Sequence, residues 1–438
     1  MEALHQPALL IAAPASGSGK TTVTLALLRA FRRQGIKIGS FKVGPDYIDP
    51  AFHTFASGTP CFNLDLWAMR RDTQAAVLST VFSDTDMVIG EGVMGLFDGA
   101  QDGSGSTADT AAEWNLPVVL IVNAKGQAAS VAALIQGFDK FRTDTRIAGV
   151  IFNNVGGEAH IRLLEEAATA VGVKSLGFIP KSDILAIDHR HLGLVQAREN
   201  PELNVFLENA ADIIERHCDL DGLKEIAKAP RDIPAKAGTS LVPFAQKIAV
   251  AEDNAFAFTY PHLLNGWRAS GAEISFFSPL ADEQPDTDAG AIYLPGGYPE
   301  LYGAQLAAAG KFKRALKTAA AKNKPIYGEC GGFMVLGKNI LDKGGTAHEM
   351  LNLLPIETSF AKPKLHLGYR NARLATDCIL GDKGDIFSAH EFHYASIIKA
   401  ADAPVLFNIQ DARGADLGNA GTAIGSVSGS FIHLIDRR

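Results

Sequence analysis

Apolar residues along this chain fall into short, nearly unbroken runs, separated by stretches where they recur every three or four positions. The run Ala8-Leu-Leu-Ile-Ala-Ala13 ends at Pro14 and Gly17, the pattern of a strand buried on both faces that runs into a glycine-rich turn. Beyond Thr21, the residues Val23, Ala26, Leu27, Ala30 and Phe31 keep helical spacing as far as a stop at Gly35. Further strands are predicted at Ile36–Val43, Met87–Gly90, Val118–Val122, Ile147–Phe152 and Ser175–Ile179, with helical stretches between most of them. That alternation predicts a parallel sheet covered by helices on both faces.

After Ala227 the periodicity stops. Residues 228–239, Lys-Ala-Pro-Arg-Asp-Ile-Pro-Ala-Lys-Ala-Gly-Thr, are polar and proline-containing and read as a linker. A second alternation follows: strand Ile248–Ala251, helix Tyr260–Ser270, strands Glu273–Phe277 and Ala291–Leu294, one helix over Gly303–Lys322, and strand Pro325–Tyr327. Past Leu351 short β-like runs dominate. The predicted organisation is α/β throughout, with one domain over 1–227, a linker over 228–245 and a second domain over 246–438. A length of 438 residues suits two cores better than one.

Composition adds exclusions. Hydrophobic residues at 47% and charged residues at 20% are ordinary globular usage, which argues against extensive disorder. A net charge of -7 argues against nucleic acid as a partner, since phosphate neutralisation favours a basic face. The four cysteines, Cys61, Cys218, Cys330 and Cys378, form no CxxC pair, so neither a zinc site nor a disulfide framework is expected, and a cytoplasmic location fits. No signal-like N-terminus and no membrane-length apolar run is present, so no membrane partner is expected.

Two clusters suggest chemistry. The segment Pro14-Ala-Ser-Gly-Ser-Gly-Lys-Thr-Thr22 fits a phosphate loop, GxxxxGK[ST], except that Pro14 stands at the usual first glycine. Backbone N–H groups of Ser16, Gly17, Ser18, Gly19 and Thr22 can surround phosphates, Lys20 can reach the terminal phosphates, and the Thr21 hydroxyl can bind magnesium. Lys42, Asp46 and Asp49 follow one predicted strand and Glu91 follows another, at the strand ends where open α/β sheets bind ligands. The loop Asp98–Thr107 is polar and glycine-rich, suited to wrapping a polar substrate. In the second half, Leu294-Pro-Gly-Gly-Tyr-Pro-Glu300 places Gly296 and Gly297 where backbone N–H groups can face an oxyanion. Gly328-Glu-Cys-Gly-Gly332 after a strand reads as a nucleophile turn, with a helix N-terminus lowering the Cys330 thiol pKa. Cys61, Cys218 and Cys378 read as inert buried thiols. A base for Cys330 is sought among His390, His393 and His433, which spacing alone does not rank.

Taken together, APASGSGKTT (13–22), KVGPDYIDP (42–50), EGVMGLFD (91–98), LPGGYPE (294–300), GECGG (328–332) and HEFHY (390–394) resemble the cobyrinate and hydrogenobyrinate a,c-diamide synthases of cobalamin biosynthesis, over nearly the whole chain. The resemblance implies an N-terminal P-loop NTPase domain similar to dethiobiotin synthetase and a C-terminal domain similar to class I glutamine amidotransferases. It implies ATP and Mg2+ as cofactors, with Lys20, Thr21 and Lys42 on the nucleotide and Thr21, Asp46 and Glu91 at the metal. It implies Asn153 at the adenine, Asp49 and Asp98 near the reacting carboxylate, Cys330 as glutamine nucleophile and His433 as its base, with His390 and His393 in supporting or substrate-side roles. Its substrates are L-glutamine and a polycarboxylate corrinoid, and a homodimer is the assembly considered. Ile435 stands two positions after His433, where broader class I enzymes carry a glutamate, which leaves the third member of that site open. The rivals are cobyric acid synthase, a nickel-tetrapyrrole diamide synthase and, from another class, a P-loop ATPase switch.

Overall fold

The computed structural model describes residues 5–182, 185, 189–190, 193–194, 202–231, 238 and 240–438. Its contacts divide the chain into two compact units: Met1–Trp67 with Gln74–Ala237, and Ala68–Thr73 with Gly238–Arg438. The predicted linker, 228–245, spans the change of unit, and its residues 232–237 and 239 lie outside the described residues. The excursion Ala68–Thr73 was not visible as a pattern. It is held in the second unit by Asp436, which is fully buried and accepts from Arg70 N at 2.7 Å and Arg70 Nη2 at 2.9 Å.

The first unit runs β1 (Ala8–Ala12), α1 (Lys20–Arg33), β2 (Ile38–Val43), α2 (Asp49–Ser57), β3 (Cys61–Leu64), α3 (Arg71–Phe82), β4 (Met87–Glu91), α4 (Thr107–Trp114), β5 (Val118–Asn123), α5 (Val131–Lys140), β6 (Ile147–Val155), α6 (Glu158–Ala170) and β7 (Ser175–Pro180). A two-residue pair, β8 (His189–Arg190) and β9 (Gly193–Leu194), precedes α7 (Leu203–His217) and α8 (Leu220–Ile226). The seven long strands form one parallel sheet ordered β3-β2-β4-β1-β5-β6-β7. Every residue of β1, β2 and β4 is buried, as strands covered on both faces require. Helix α1 packs its apolar side, Leu25, Leu28 and Phe31 among others, into the core, and Arg29 and Arg33 reach Glu208 and Asp212 on α7 at 2.6 and 2.7 Å. Because β2, β4 and β1 are adjacent and parallel, their C-terminal ends open side by side: Lys42 pairs with Glu91 in register, and Glu91 with Ile11.

The second unit contains β10 (Lys247–Ala251), α9 (Pro261–Ala269), β11 (Glu273–Phe277), β12 (Ala291–Leu294), a 3-10 turn (Pro299–Tyr302), α10 (Gly303–Ala308), α11 (Gly310–Ala321), β13 (Ile326–Glu329) and α12 (Gly331–Leu336). Ten further strands follow: β14 (Asn339–Leu341), β15 (Ala347–Glu349), β16 (Ile356–Ser359), β17 (His366–Leu374), β18 (Ile386–His393), β19 (Ser396–Ala400), β20 (Val405–Gln410), β21 (Asp416–Ile424), β22 (Val427–Ser430) and β23 (Ile432–Arg437). The main sheet, ordered β11-β10-β12-β13-β22-β21-β20-β17-β18-β23, is parallel over its first five strands and antiparallel beyond; a smaller sheet is ordered β15-β14-β16-β19. One helix was predicted over Gly303–Lys322, but the structure breaks it at Ala309. Asp282 gives the reason: its Oδ1 accepts from Lys311 N and Phe312 N at 2.7 and 2.9 Å, satisfying donors of a new helix start.

Candidate functional site

In the first unit, the turn after β1 is held open by glycine. Gly17 and Gly19 have φ of 80° and 89°, a region that side-chain-bearing residues rarely adopt. Ser18 Oγ donates to Ala15 O at 2.9 Å, and Asn153, from the end of β6, donates through Nδ2 to Ser18 O at 3.0 Å. A Cβ at Gly19 would collide with that Asn153 amide. Asn153 therefore braces the loop from the sheet side, and its Oδ1 accepts from Asn154 N at 2.9 Å. Ser16 is exposed on the loop, and Lys20, Thr21 and Thr22 begin α1.

Charged groups converge where α1, β2 and β4 meet. Lys42 Nζ lies 2.8 Å from Glu91 Oε1 and 3.7 Å from Asp46 Oδ2, and it also contacts Asp49 Oδ2. Thr21 Oγ1 donates to Glu91 Oε1 at 2.7 Å and reaches Asp49 Oδ2 at 3.2 Å; Lys20 Nζ stands 3.7 Å from Glu91 Oε1. Burial opposes charge on Lys42, but Asp49, Glu91 and Asp46 outweigh it and hold its pKa well above the ordinary lysine value. Burial likewise acts to raise Glu91, yet Lys42 and His53 hold it well below the carboxylate range. Asp49 is pushed up to about 6 by burial and by repulsion from Asp46. Asp46 Oδ1 accepts from Ile48 N and Asp49 N, both at 2.9 Å, which fixes the turn that delivers Asp49.

Two residues in this cluster were missed from sequence. His53, fully buried, bonds Glu91 Oε2 through Nε2 at 2.7 Å. It stands four residues after Asp49 on α2, so the helical period that puts both on one face was the available signal. Asn63, at the end of the short β3, donates to Gly44 O and Asp46 O at 2.9 and 2.7 Å and ties down the acidic turn. Asp98 is exposed, and its Oδ2 accepts from Gly95 N at 3.0 Å in a loop laid along the strand and turn by Gly92 N to Ile11 O and Leu96 N to Ala13 O, both 2.8 Å.

In the second unit, β13 delivers Cys330 with φ 49° and ψ -104°, a strained turn pinned by Cys330 N to Ser430 O at 2.8 Å. Glycines are obligatory around it. A Cβ at Gly296 would lie 2.5 Å from His433 Cε1 and 3.4 Å from Cys330 Cβ, so a side chain at this position would press on both residues. A Cβ at Gly331 would lie 3.0 Å from Gly297 N, placing that amide beside the turn. The thiol was expected to be acidified by the helix that follows. Instead, burial first, and then the carboxylates of Glu300 and Glu329, push its pKa up; α12 is a short six-residue helix.

His433 lies on β23 two residues past the corner that ends β22, and it pairs in register with His390 of β18. A carboxylate from another strand lies close to His433. Glu329, immediately before Cys330, approaches His433 Nδ1 with Oε1 at 3.4 Å while Oε2 accepts from Leu434 N at 3.3 Å and Oε1 from Tyr293 OH at 3.2 Å. Sequence comparison with a downstream glutamate could not find it, because β13 and β23 meet only through the fold. His390 is held near 3 by burial and by the neighbouring His433. His393 stacks on Phe431 at 3.9 Å and bonds Glu391 Oε1 at 2.9 Å. His366, Glu391 and His393 bring ligand atoms within 4.8 Å, but the two imidazoles are parallel within 5° at 4.6 Å, so one cation cannot lie in both ring planes.

Among the described residues no helix is long and apolar enough to cross a membrane. Residues 9–194 match the family described as CobQ/CobB/MinD/ParA nucleotide binding domain, and 247–438 match the CobB/CobQ-like glutamine amidotransferase domain. The chain is 54% identical over 430 residues to the hydrogenobyrinate a,c-diamide synthase of Brucella abortus, with 98% of both chains covered. It is 52% identical to that of a Sinorhizobium species, covering 98% of each, and 50% identical to that of Rhizobium meliloti, covering 98% of this chain and 99% of the relative. A phosphate loop braced for a nucleotide and a strained cysteine beside a histidine thus sit on one chain, which belongs to the hydrogenobyrinate a,c-diamide synthase family and is a glutamine-dependent amide-forming enzyme.

Proposed function

We propose that this chain converts the a and c side-chain carboxylates of hydrogenobyrinate to amides, using ATP, magnesium and L-glutamine. The observation that carries the proposal is the oxygen-lined cluster of Thr21, Asp49 and Glu91 next to Lys20 and Lys42 at the mouth of the phosphate loop. Its donors are hard oxygens only, which suits magnesium. Thr21, Glu91 and Asp46 would hold the ion; when bound it supplies positive charge to phosphate oxygens. Lys20 and Lys42 stabilise charge on the transferring phosphoryl group, and a substrate carboxylate oxygen attacks phosphorus as the bond to ADP breaks. The acyl phosphate that forms has a good leaving group, which a free carboxylate lacks. Asp49 and Asp98 lie on the substrate side of this reaction, and Asn153 supports nucleotide binding by bracing the loop.

In the second unit, the Cys330 sulfur attacks the side-chain amide carbon of glutamine. The N–H groups near Gly296 and Gly297 face the oxyanion, and His433 takes the thiol proton and gives it to the departing ammonia. Glu329 holds the His433 ring so that Nε2 serves the sulfur. Water then cleaves the thioester to glutamate, and ammonia displaces phosphate from the activated carboxylate. A P-loop switch would leave the Cys330, Gly296 and His433 arrangement idle. Mass spectrometry of hydrogenobyrinate incubated with the protein, ATP, magnesium and glutamine tests the proposal. Two successive carboxylate-to-amide conversions are expected; an unchanged substrate, with turnover of the cobalt or nickel analogue alone, overturns the assignment.

A further inference from the structure

Glu300 is an acid without a role in the chemistry above. It lies in the 3-10 turn Pro299–Tyr302, directly after the paired glycines, and is 8% exposed. Neither carboxylate oxygen is bonded to another residue, and among the described residues no lysine, arginine or histidine forms an ion pair with it. Its turn packs on the nucleophile: a Cβ at Gly331 would lie 2.8 Å from Pro299 Cδ. Its charge is, after burial, the strongest influence on the Cys330 thiol.

A buried carboxylate that no other residue bonds is costly, and proteins compensate such groups by pairing them. The missing partner must be cationic or a strong donor, must enter the site, and must sit near Cys330. Resting on the glutaminase reading of Cys330, we propose that Glu300 binds the α-ammonium group of L-glutamine. A glutamine whose side-chain amide meets the sulfur carries one ammonium, at the other end of a short chain. Pairing it with Glu300 satisfies the orphaned oxygens and selects an α-amino acid over a simple amide. It also has a consequence for the nucleophile. Wherever Glu300 is ionised its charge opposes formation of the thiolate; an ammonium seated on Glu300 offsets that charge, so the correct substrate removes this opposition to ionisation of the sulfur that attacks it.

The test compares L-glutamine with glutaramate, the same side-chain amide without the α-amino group, as ammonia donors. Wild-type protein is expected to prefer glutamine by about 100-fold or more in kcat/KM, because a site built to pair a polar group rejects the analogue that lacks it. Glu300→Gln should lower kcat/KM for glutamine by about 100-fold, leave that for glutaramate unchanged or higher, and so collapse the ratio, while Glu300→Asp should retain part of it. The ratio is measured within each protein, so partial misfolding does not mimic it. Equal losses on both donors, or an unchanged ratio, overturn the proposal. Cys330→Ala separates this from the underlying reading: if it still makes amide from glutamine, the nucleophile assignment fails, whereas loss there with an unchanged ratio in Glu300→Gln removes Glu300 alone.

Discussion

Burying Glu300 without a partner should cost stability in a way that pH exposes. A glutamate ordinarily titrates at 4.5, but burial pushes Glu300 up to about 8, with only its own backbone N–H opposing. Since the folded pKa is above the unfolded one, the protein holds this proton more tightly when folded. The associated stability is therefore complete below pH 4.5, declines as pH rises toward 8, and is lost above it. Between those limits the loss amounts to roughly 3 kcal/mol at pH 7 and about 5 kcal/mol well above pH 8. Glutamine does not titrate, so Glu300→Gln lacks this slope, while any cost of its buried amide is independent of pH. The assay is urea unfolding from pH 4.5 to 8.5, followed through Trp267, which is buried in the second unit against Phe244 and Tyr293. Trp67 and Trp114 are first replaced by Phe in both proteins, so that the signal reports one unit. The stability difference between variant and parent should grow by roughly 3 kcal/mol from pH 4.5 to 7 in favour of the variant. A difference that stays flat with pH would refute the reasoning, because it would mean that Glu300 ionises in the fold as easily as in the open chain.

Gly296→Ala should abolish glutamine-driven synthesis, by about 100-fold or more, because the new methyl lies 2.5 Å from His433 Cε1; synthesis from added ammonium should continue, and parallel assays with the two donors check it. Glu329→Gln should lower kcat for glutamine by about 100-fold or more with little change in KM, since the His433 ring loses its holder; steady-state kinetics with glutamine check the split. Lys42→Met removes the ammonium shared by Asp46, Asp49 and Glu91 and leaves uncompensated buried acids; a loss of about 3–5 kcal/mol in unfolding experiments is expected, with no amide formed from either donor. Gly19→Ala, at φ 89° and against Asn153, should weaken nucleotide binding in calorimetric titration while leaving glutamine hydrolysis intact.

The elements were legible where one physical cause dominated. Ala8–Ala12 and Ala291–Leu294 are found where unbroken apolar runs place them, since burial on the sheet decides their identity locally; Glu273–Phe277 is also found as predicted, although only its Phe277 is buried. The break at Ala309 was illegible because its cause, Asp282, is distant in sequence. The same distinction governs the sites. Lys20 and Thr21 follow β1, Lys42 and Glu91 lie at the ends of β2 and β4, and Asp46 and Asp49 follow β2, so each strand end was legible alone, whereas the adjacency of β2, β4 and β1 comes from the sheet order. Asn63 lies in a four-residue strand too short to register, and Glu329 meets His433 only because β22, which pairs with β13, turns a corner into β23. The raised Cys330 thiol was missed for a related reason: the glycines around it are local, but the acids and the burial that oppose ionisation are not.

The Glu91 cluster and Glu300 handle burial in opposite ways, and the contrast bears on how each site is used. Around Glu91 the acids bring their own cations: Lys42, Lys20 and His53 compensate Glu91, Asp46 and Asp49 before any ligand arrives. On the proposed ATP and magnesium chemistry, an entering nucleotide would meet an already satisfied network, in which Lys42 would exchange carboxylate partners for phosphate oxygens. Among the described residues Glu300 has no such cationic partner, so an entering ammonium gains the compensation that the fold does not supply. By linkage, glutamine should therefore stabilise the second unit most steeply at pH values where Glu300 is ionised, above about 8. Glutamine added to the Cys330→Ala protein, which cannot consume it, should raise the unfolding midpoint reported by Trp267 more at pH 8.5 than at pH 6 relative to Glu300→Gln/Cys330→Ala, and an equal rise in the two proteins would contradict an ammonium seated on Glu300.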